Sequence, residues 1–179
     1  SIFHNNVSNE LNDPSHPNKE IFTVGQEGST PTIDIVNSAF IKNSGGVRFA
    51  ESGEQSSIIN TVFVNNSESD VVAENSHIPT IQNSYVPSIQ GPTFNEDVIT
   101  TGDLGFVDIT NNDFRLTSAS VLIDSGKVIE TLGNKHQYGN YPERSFPFSD
   151  IAGNQRIAGT SIDIGPYEFS TARPTVTKF

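Results

Sequence analysis

The chain has 179 residues, the length of one domain, and its 21 acidic residues against 10 Lys and Arg give a net charge of −11. This charge disfavours nucleic acid as a partner, and the absence of cysteine excludes disulfides and thiolate metal sites. The sequence has no apolar run near the roughly 18–20 residues of a membrane span. Thr, Ser, Asn, Val and Ile dominate without helical periodicity, which favours β-structure.

Short strands separated by polar turns are predicted along the first 93 residues. Turn-forming Asn, Asp, Gly, Pro and Ser separate the apolar stretches, and the two prolines of residues 12–19 predict a longer bulge there. The strands are expected, in chain order, at residues 21–24, 33–36, 38–41, 47–50, 57–59, 62–64 and 71–73.

A repeat organises this region. The pattern Asn-x-x-Phe-x-x-Asn occupies residues 37–43 and again 60–66, 23 residues apart. A fixed period in the twenties indicates stacked units, each unable to bury its apolar face alone. In-register stacking predicts one aromatic column and one Asn column, in which Asn also tolerates a left-handed turn. The aromatic column would contain Phe3, Phe40, Phe63 and Tyr85, and the Asn column Asn6, Asn43 and Asn66.

Charged motifs follow in the second half of the chain. They are Gly-Phe-Val-Asp at 105–108, Asp-Phe-Arg-Leu at 113–116, Ser-Ala-Ser-Val-Leu-Ile-Asp-Ser-Gly at 118–126, Asp-Ile-Ala-Gly-Asn-Gln-Arg at 150–156 and Ser-Ile-Asp-Ile-Gly-Pro-Tyr-Glu at 161–168. The repeats resemble those of right-handed parallel β-helix, pectate-lyase-like proteins. The order of the charged motifs is similar to the C-terminal end of the bacterial extracellular β-helix proteins called "choice-of-anchor Q" proteins. Ala119-Ser120 replaces their usual Ser-Pro step, and Pro166 replaces Ala.

This resemblance implies an all-β fold, a right-handed parallel β-helix (solenoid) with a C-terminal capping module. The expected boundaries are 1–93 for the β-helix, 94–169 for the cap and 170–179 for a linker. The resemblance also implies a bacterial protein that is exported, either secreted or at the cell surface. Because Ser1 falls inside a repeat unit, further domains of the same polypeptide are expected upstream. The Thr- and Pro-rich residues 171–177 resemble the linkers that lead to further modules in these proteins, so domains are also expected downstream.

The acidic motifs allow two interpretations. Asp124, Asp150 and Asp163 could form a calcium site, because calcium prefers clustered carboxylate and carbonyl oxygens. Alternatively, Arg156 pairs with Asp163 or Asp150, and together with Glu168 these residues stabilise the cap. The second interpretation is favoured, with calcium as the one cofactor considered. The cap is expected to cover the open strand edges of the last repeat.

Three basic residues are weak catalytic candidates. In the resembling lyases, Lys, Arg or His removes a proton next to a uronate carboxyl group, and Lys42, Arg48 and His77 lie on or near the predicted repeats. Nothing else reproduces a lyase site, and Asp70 alone is not the paired carboxylate of a glycosidase.

The leading functional hypothesis is therefore a structural and adhesive β-helix that binds polysaccharide. The alternative is the C-terminal end of a polysaccharide lyase or glycosidase whose active site lies mostly upstream, and the third is a stalk without a ligand.

Overall fold

The computed structural model describes residues 1–6, 21–24, 32–50, 56–74, 77–129 and 149–170, so the predicted linker lies outside the described residues except for Ser170. These ranges contain strands and turns and no helix, which confirms the all-β prediction; none of their segments is a helix that could cross a membrane. The strands are β1 (Ile2–His4), β2 (Phe22–Val24), β3 (Asp34–Val36), β4 (Ala39–Ile41), β5 (Val47–Phe49), β6 (Ser57–Ile59), β7 (Val62–Val64), β8 (Val71–Ala73), β9 (Thr80–Gln82), β10 (Ile89–Gln90), β11 (Phe94–Glu96), β12 (Phe106–Asp108) and β13 (Asp113–Leu116).

Eleven of these strands form three parallel sheets. Sheet A has the order β1-β4-β7, sheet B the order β10-β8-β5-β2, and sheet C the order β11-β9-β6-β3. Pairing is in register: Phe40 lies beside Phe63, and Ile35 beside Ile58. Because the chain visits all three sheets before it returns to the first, these partners are 23 residues apart, as the repeat predicted.

The aromatic column forms, with one correction. The ring centroids of Phe3 and Phe40 are 4.6 Å apart, those of Phe40 and Phe63 are 4.7 Å apart, and both pairs are stacked. The prediction for Tyr85 was wrong, because Tyr85 pairs with Val62 and faces the other side of sheet A. Asn83 aligns with Asn60 across the repeats, so the third residue after it, Val86, joins the buried core instead.

The Asn column also forms. The Oδ1 atom of Asn43 accepts hydrogen bonds from the backbone N–H and the amide of Asn6, at 2.9 and 3.1 Å. In the next repeat, Oδ1 of Asn66 accepts the backbone N–H of Asn43 at 3.0 Å. The amide of Asn43 donates to the carbonyl of Phe3, and that of Asn66 donates to the carbonyl of Phe40. Side-chain amides therefore replace the backbone partners that the turn cannot supply.

The column Asn would tolerate a left-handed conformation, but it is not the left-handed residue of this turn. The left-handed residue is the one before it: Asn5, Lys42 and Asn65 have φ values of 54°, 54° and 53°. The column Asn is thus selected by its amide, because both of its polar groups bond to the neighbouring repeat. Asn5 and Asn65 suit the left-handed position, which Lys42 adopts in the middle repeat.

The C-terminal segment packs on the outer face of sheet A. Ala39, Ile41, Val62 and Val64 on that face form an apolar cluster that includes Phe114, Leu116, Leu122 and Ile164. All residues of β4 and β7 are consequently buried, whereas buried and partly buried residues alternate in β3 and β5. Apolar residues on both faces of a strand indicate that both faces are covered.

The expected cap over the last strand edges forms in part, because β11, at the start of the module predicted for residues 94–169, pairs with β9, and Ile99 bridges to Tyr85. The strand β11 ends sheet C, and its three side chains are exposed, with Phe94 at 57 %. Polar Asn95 and Glu96 follow there, in register with Ile81 and Gln82 of β9. In the described part of the chain, the C-terminal segment after β11 buries the apolar outer face of sheet A.

Replacement of Asn43 tests the Asn column. We expect Asn43→Ala to lower the free energy of unfolding by about 2 kcal/mol, because it removes the buried amide that bonds to both the N–H of Asn6 and the carbonyl of Phe3. Urea denaturation measures this change. Ser67→Ala, at an exposed turn position of the next repeat, is the control and should stay within about 0.5 kcal/mol of the parent. Equal effects of the two substitutions would contradict the proposed role of the amide.

Candidate binding cleft

The acidic residues singled out in the sequence form a hydrogen-bonded cluster. The carboxylate of Asp163 accepts the backbone N–H groups of Asp124 at 2.8 Å and Phe169 at 2.5 Å. The N–H of Asp163 donates to Oε1 of Glu168 at 2.8 Å. Oδ2 of Asp150 accepts the backbone N–H of Glu168 at 2.9 Å. These bonds hold the backbone of Glu168 and Phe169 and the side chain of Glu168 in place.

Arg156 lies in the middle of this cluster and is buried. Its Nη2 donates to the carbonyls of Asp163 at 3.2 Å and Gly165 at 2.6 Å, and its Nη1 is 3.6 Å from Oε1 of Glu168. Desolvation lowers the pKa of Arg156, against the attraction of Glu168, Asp150 and Asp163. The structure thus brings Arg156, Asp163 and Glu168 together, with Glu168 as the nearest carboxylate to the guanidinium.

The carboxylates of the three predicted calcium ligands accept hydrogen bonds from backbone N–H groups. Asp124 accepts from Ser161 at 2.9 Å, and Oδ1 of Asp150 accepts from Ala152 and Asn154 at 2.9 and 2.7 Å. No group of three His, Asp or Glu side chains in the described ranges is placed to hold a metal ion. The geometry therefore favours a structural role for these residues, and calcium binding stays a prediction.

The cluster positions one wall of a cleft. β12 and β13 pair antiparallel and form the opposite wall, which presents Val107 and Arg115. The cleft has a volume of about 270 Å³ between this hairpin, the turn at 150–154 and residues 167–170. Tyr167 and Phe169 line it on either side of Glu168, whose backbone the cluster holds. Asn154 adds a polar group at the turn.

Arg115 and Asp113 form an ion pair at this cleft. Residues two apart on a strand share a face, so both point away from the core that Phe114 and Leu116 join. Nε of Arg115 donates to Oδ1 of Asp113 at 2.8 Å, and Nη2 contacts Oδ2, which makes the pair bidentate. The hydrogen bond from Arg115 lowers the pKa of Asp113 and raises that of Arg115.

The hydroxyl of Tyr167 stays protonated at neutral pH. Burial raises the pKa of Tyr167, and the negative charge of Asp113 adds to the effect. The cleft therefore combines a partly buried phenol, a guanidinium and an amide with the apolar surfaces of Val107 and Phe169. This mixture can hydrogen-bond hydroxyl groups and pack against a ring.

The three catalytic candidates are not brought together. Nζ of Lys42 donates to the carbonyl of Ile109 at 2.7 Å, next to sheet A. Arg48 lies on sheet B and pairs with Glu74. His77 is buried, lies within 3.0 Å of the hydroxyl of Ser56 and packs against Phe49.

Sequence reasoning missed the residues that line the cleft. The alternation of Asp113, Phe114, Arg115 and Leu116 does signal a strand with one polar and one apolar face. Nothing in the spacing, however, joins this strand to Tyr167, more than fifty residues later. Comparisons with known protein families, with curated proteins and with solved structures found no match for this chain.

The buried cluster predicts a pH dependence of stability. Burial raises the pKa of Glu168 from 4.5 to about 7 and raises that of Asp163. The native state then binds more protons than the unfolded state between these two pKa values of Glu168, so stability falls as pH rises through this window. We expect a loss of roughly 2–3 kcal/mol in the free energy of unfolding between pH 5 and pH 8. Urea denaturation across this range measures it.

Glu168→Gln is the matched variant, because the amide keeps an oxygen for the N–H of Asp163 but does not titrate. Its free energy of unfolding should change much less between pH 5 and pH 8. A parent stability that is flat or rises over this range would contradict the assignment, as would a variant that keeps the full slope.

Proposed function

We propose that this chain is the C-terminal region of an exported bacterial β-helix protein that binds polysaccharide through the cleft beside Tyr167. The proposed architecture is a right-handed parallel β-helix of the "choice-of-anchor Q" type, secreted or at the cell surface. Its C-terminal module covers one face of the helix and carries the binding site.

The order of the strands supports a helical winding. The chain runs from sheet C to sheet A to sheet B in β3-β4-β5 and repeats this order in β6-β7-β8. One apolar cluster contains Ile35 of sheet C, Phe40 of sheet A and Val47 of sheet B. A chain that winds around a shared core in this way produces the pairing between successive turns.

The shape and chemistry of the cleft support sugar binding. Its volume of about 270 Å³ lies near the lower end of ligand pockets, which suits one segment of a polymer rather than a large cofactor. Tyr167 and Phe169 offer ring surface, while Arg115 and Asn154 offer hydrogen-bond donors. The observation that carries the proposal is that the buried acidic cluster fixes the backbone bearing both aromatic residues.

The same geometry favours binding over catalysis. A glycosidase needs two carboxyl groups that reach the substrate. The side chain of Glu168 is fully buried, and both oxygens of Asp113 are engaged by Arg115. The carboxylates of the described cleft therefore serve its structure and its charge balance.

Removal of the tyrosine ring tests the proposal. Native gels that contain a panel of neutral and uronate polysaccharides should retard the parent protein in at least one gel. Tyr167→Ala should raise the Kd about tenfold and so reduce this retardation, because the substitution removes the ring against which a sugar packs. Phe94→Ala is the matched control, since it removes an exposed aromatic ring on β11 outside the cleft.

Retardation of Phe94→Ala should equal that of the parent. Unchanged migration of the parent in every gel would overturn the binding proposal for this chain. Equal retardation of Tyr167→Ala and the parent would show that the polysaccharide does not bind in this cleft.

A further inference from the structure

We infer that the cleft selects neutral glycans and rejects uronate polymers, because its cation is already paired with Asp113. This inference rests on the proposed function and names the class of polysaccharide that the same site accepts.

The charge of Arg115 is compensated within the cleft. Arg115 is the cation among the described lining residues, and its side chain is 63 % exposed. A guanidinium binds a carboxylate best through two parallel N–H groups. Asp113 already occupies such a fork through Nε and Nη2. A uronate carboxylate would have to displace Asp113 or bind beside its negative charge.

The paired guanidinium keeps donors for uncharged ligands. Two of the five N–H groups of Arg115, the one on Nε and one on Nη2, donate to Asp113. The remaining N–H groups can donate to sugar hydroxyls, for which no net charge is needed. The phenol of Tyr167 and the amide of Asn154 add neutral hydrogen-bonding groups at the same cleft.

The wall behind the cleft adds negative charge. Asp150, Asp163 and Glu168 surround a single cation, Arg156, so acidic groups exceed basic ones there. The whole chain carries −11, which also opposes the approach of a polyanion. The pairing of Arg115 with Asp113 and the net negative charge of the chain therefore both disfavour the binding of a uronate polymer.

Asp113→Asn tests the inference through a gain of binding. The substitution removes the charge that compensates Arg115 and leaves a free cation at the cleft. Affinity gels at low salt would contain neutral glucan, mannan, galactan or xylan, or the uronate polymers polygalacturonate and alginate. We expect the parent to be retarded in at least one neutral gel and in no uronate gel. Asp113→Asn should become retarded in at least one uronate gel, a gain in affinity of about tenfold or more over the parent.

Asp97→Asn is the matched control, since it makes the same change in net charge at an exposed turn after β11. It should not gain uronate binding, and added salt should abolish the gain of Asp113→Asn. Arg115→Gln should fail to bind uronate even with Asn at position 113.

The outcomes separate the two proposals. Parent binding to a uronate polymer as tight as to any neutral one overturns the inference and leaves the proposed function standing. An Asp113→Asn variant without a gain, or with a gain matched by Asp97→Asn, also overturns the inference. Parent migration unchanged in every gel overturns the proposed function, and the inference with it.

Discussion

Strict in-register stacking at a period of 23 residues is the constraint on which the rest of the structure depends. It sets Phe40 between Phe3 and Phe63 at van der Waals distance, and it lets the amide of Asn43 reach the backbone of the preceding repeat. Both columns need the same register, because a shift of one residue would exchange the two faces of every strand. The core and the turns therefore stabilise the same alignment.

This register also builds the surface on which the C-terminal module lies. Asn60, at another left-handed turn, makes two hydrogen bonds to the backbone of Lys127. Its Oδ1 accepts the N–H of Lys127 at 2.7 Å, and its Nδ2 donates to the carbonyl of Lys127 at 2.9 Å. The Nζ of Lys42, which follows β4, donates to the carbonyl of Ile109 at the opposite end of the sheet A strands. Two turn residues of successive repeats thus become anchors for the module. The cleft is formed within the module, at the side where its hairpin meets the segment around Tyr167.

The sequence predicted what repeats and missed what occurs once. The aromatic and Asn columns followed from spacing alone, because identical side chains at a fixed period must stack if the units stack. Tyr85 does not join the column because it follows Asn83 by two residues, whereas Phe63 follows Asn60 by three, and side chains alternate between the two faces of a strand. A cap at the strand edges was predicted, and β11 does lie there, but Ala39, Ile41, Val62 and Val64 also indicated an outer face of sheet A that must be covered. The cleft could not be predicted, since its walls come from three segments without a common period.

The buried cluster connects the stability of this module with the shape of its cleft. Three carboxylates around one guanidinium are costly to bury, and the raised pKa of Glu168 reflects that cost. A well-packed apolar cluster would stabilise the module as well, but it could not accept the N–H groups of Asp124, Glu168 and Phe169. These bonds hold the segment that carries Tyr167 and Phe169 in one conformation, so the proposed binding surface would lose little entropy on binding a ligand. The charges that lower stability at neutral pH are thus the same ones that give the cleft its shape.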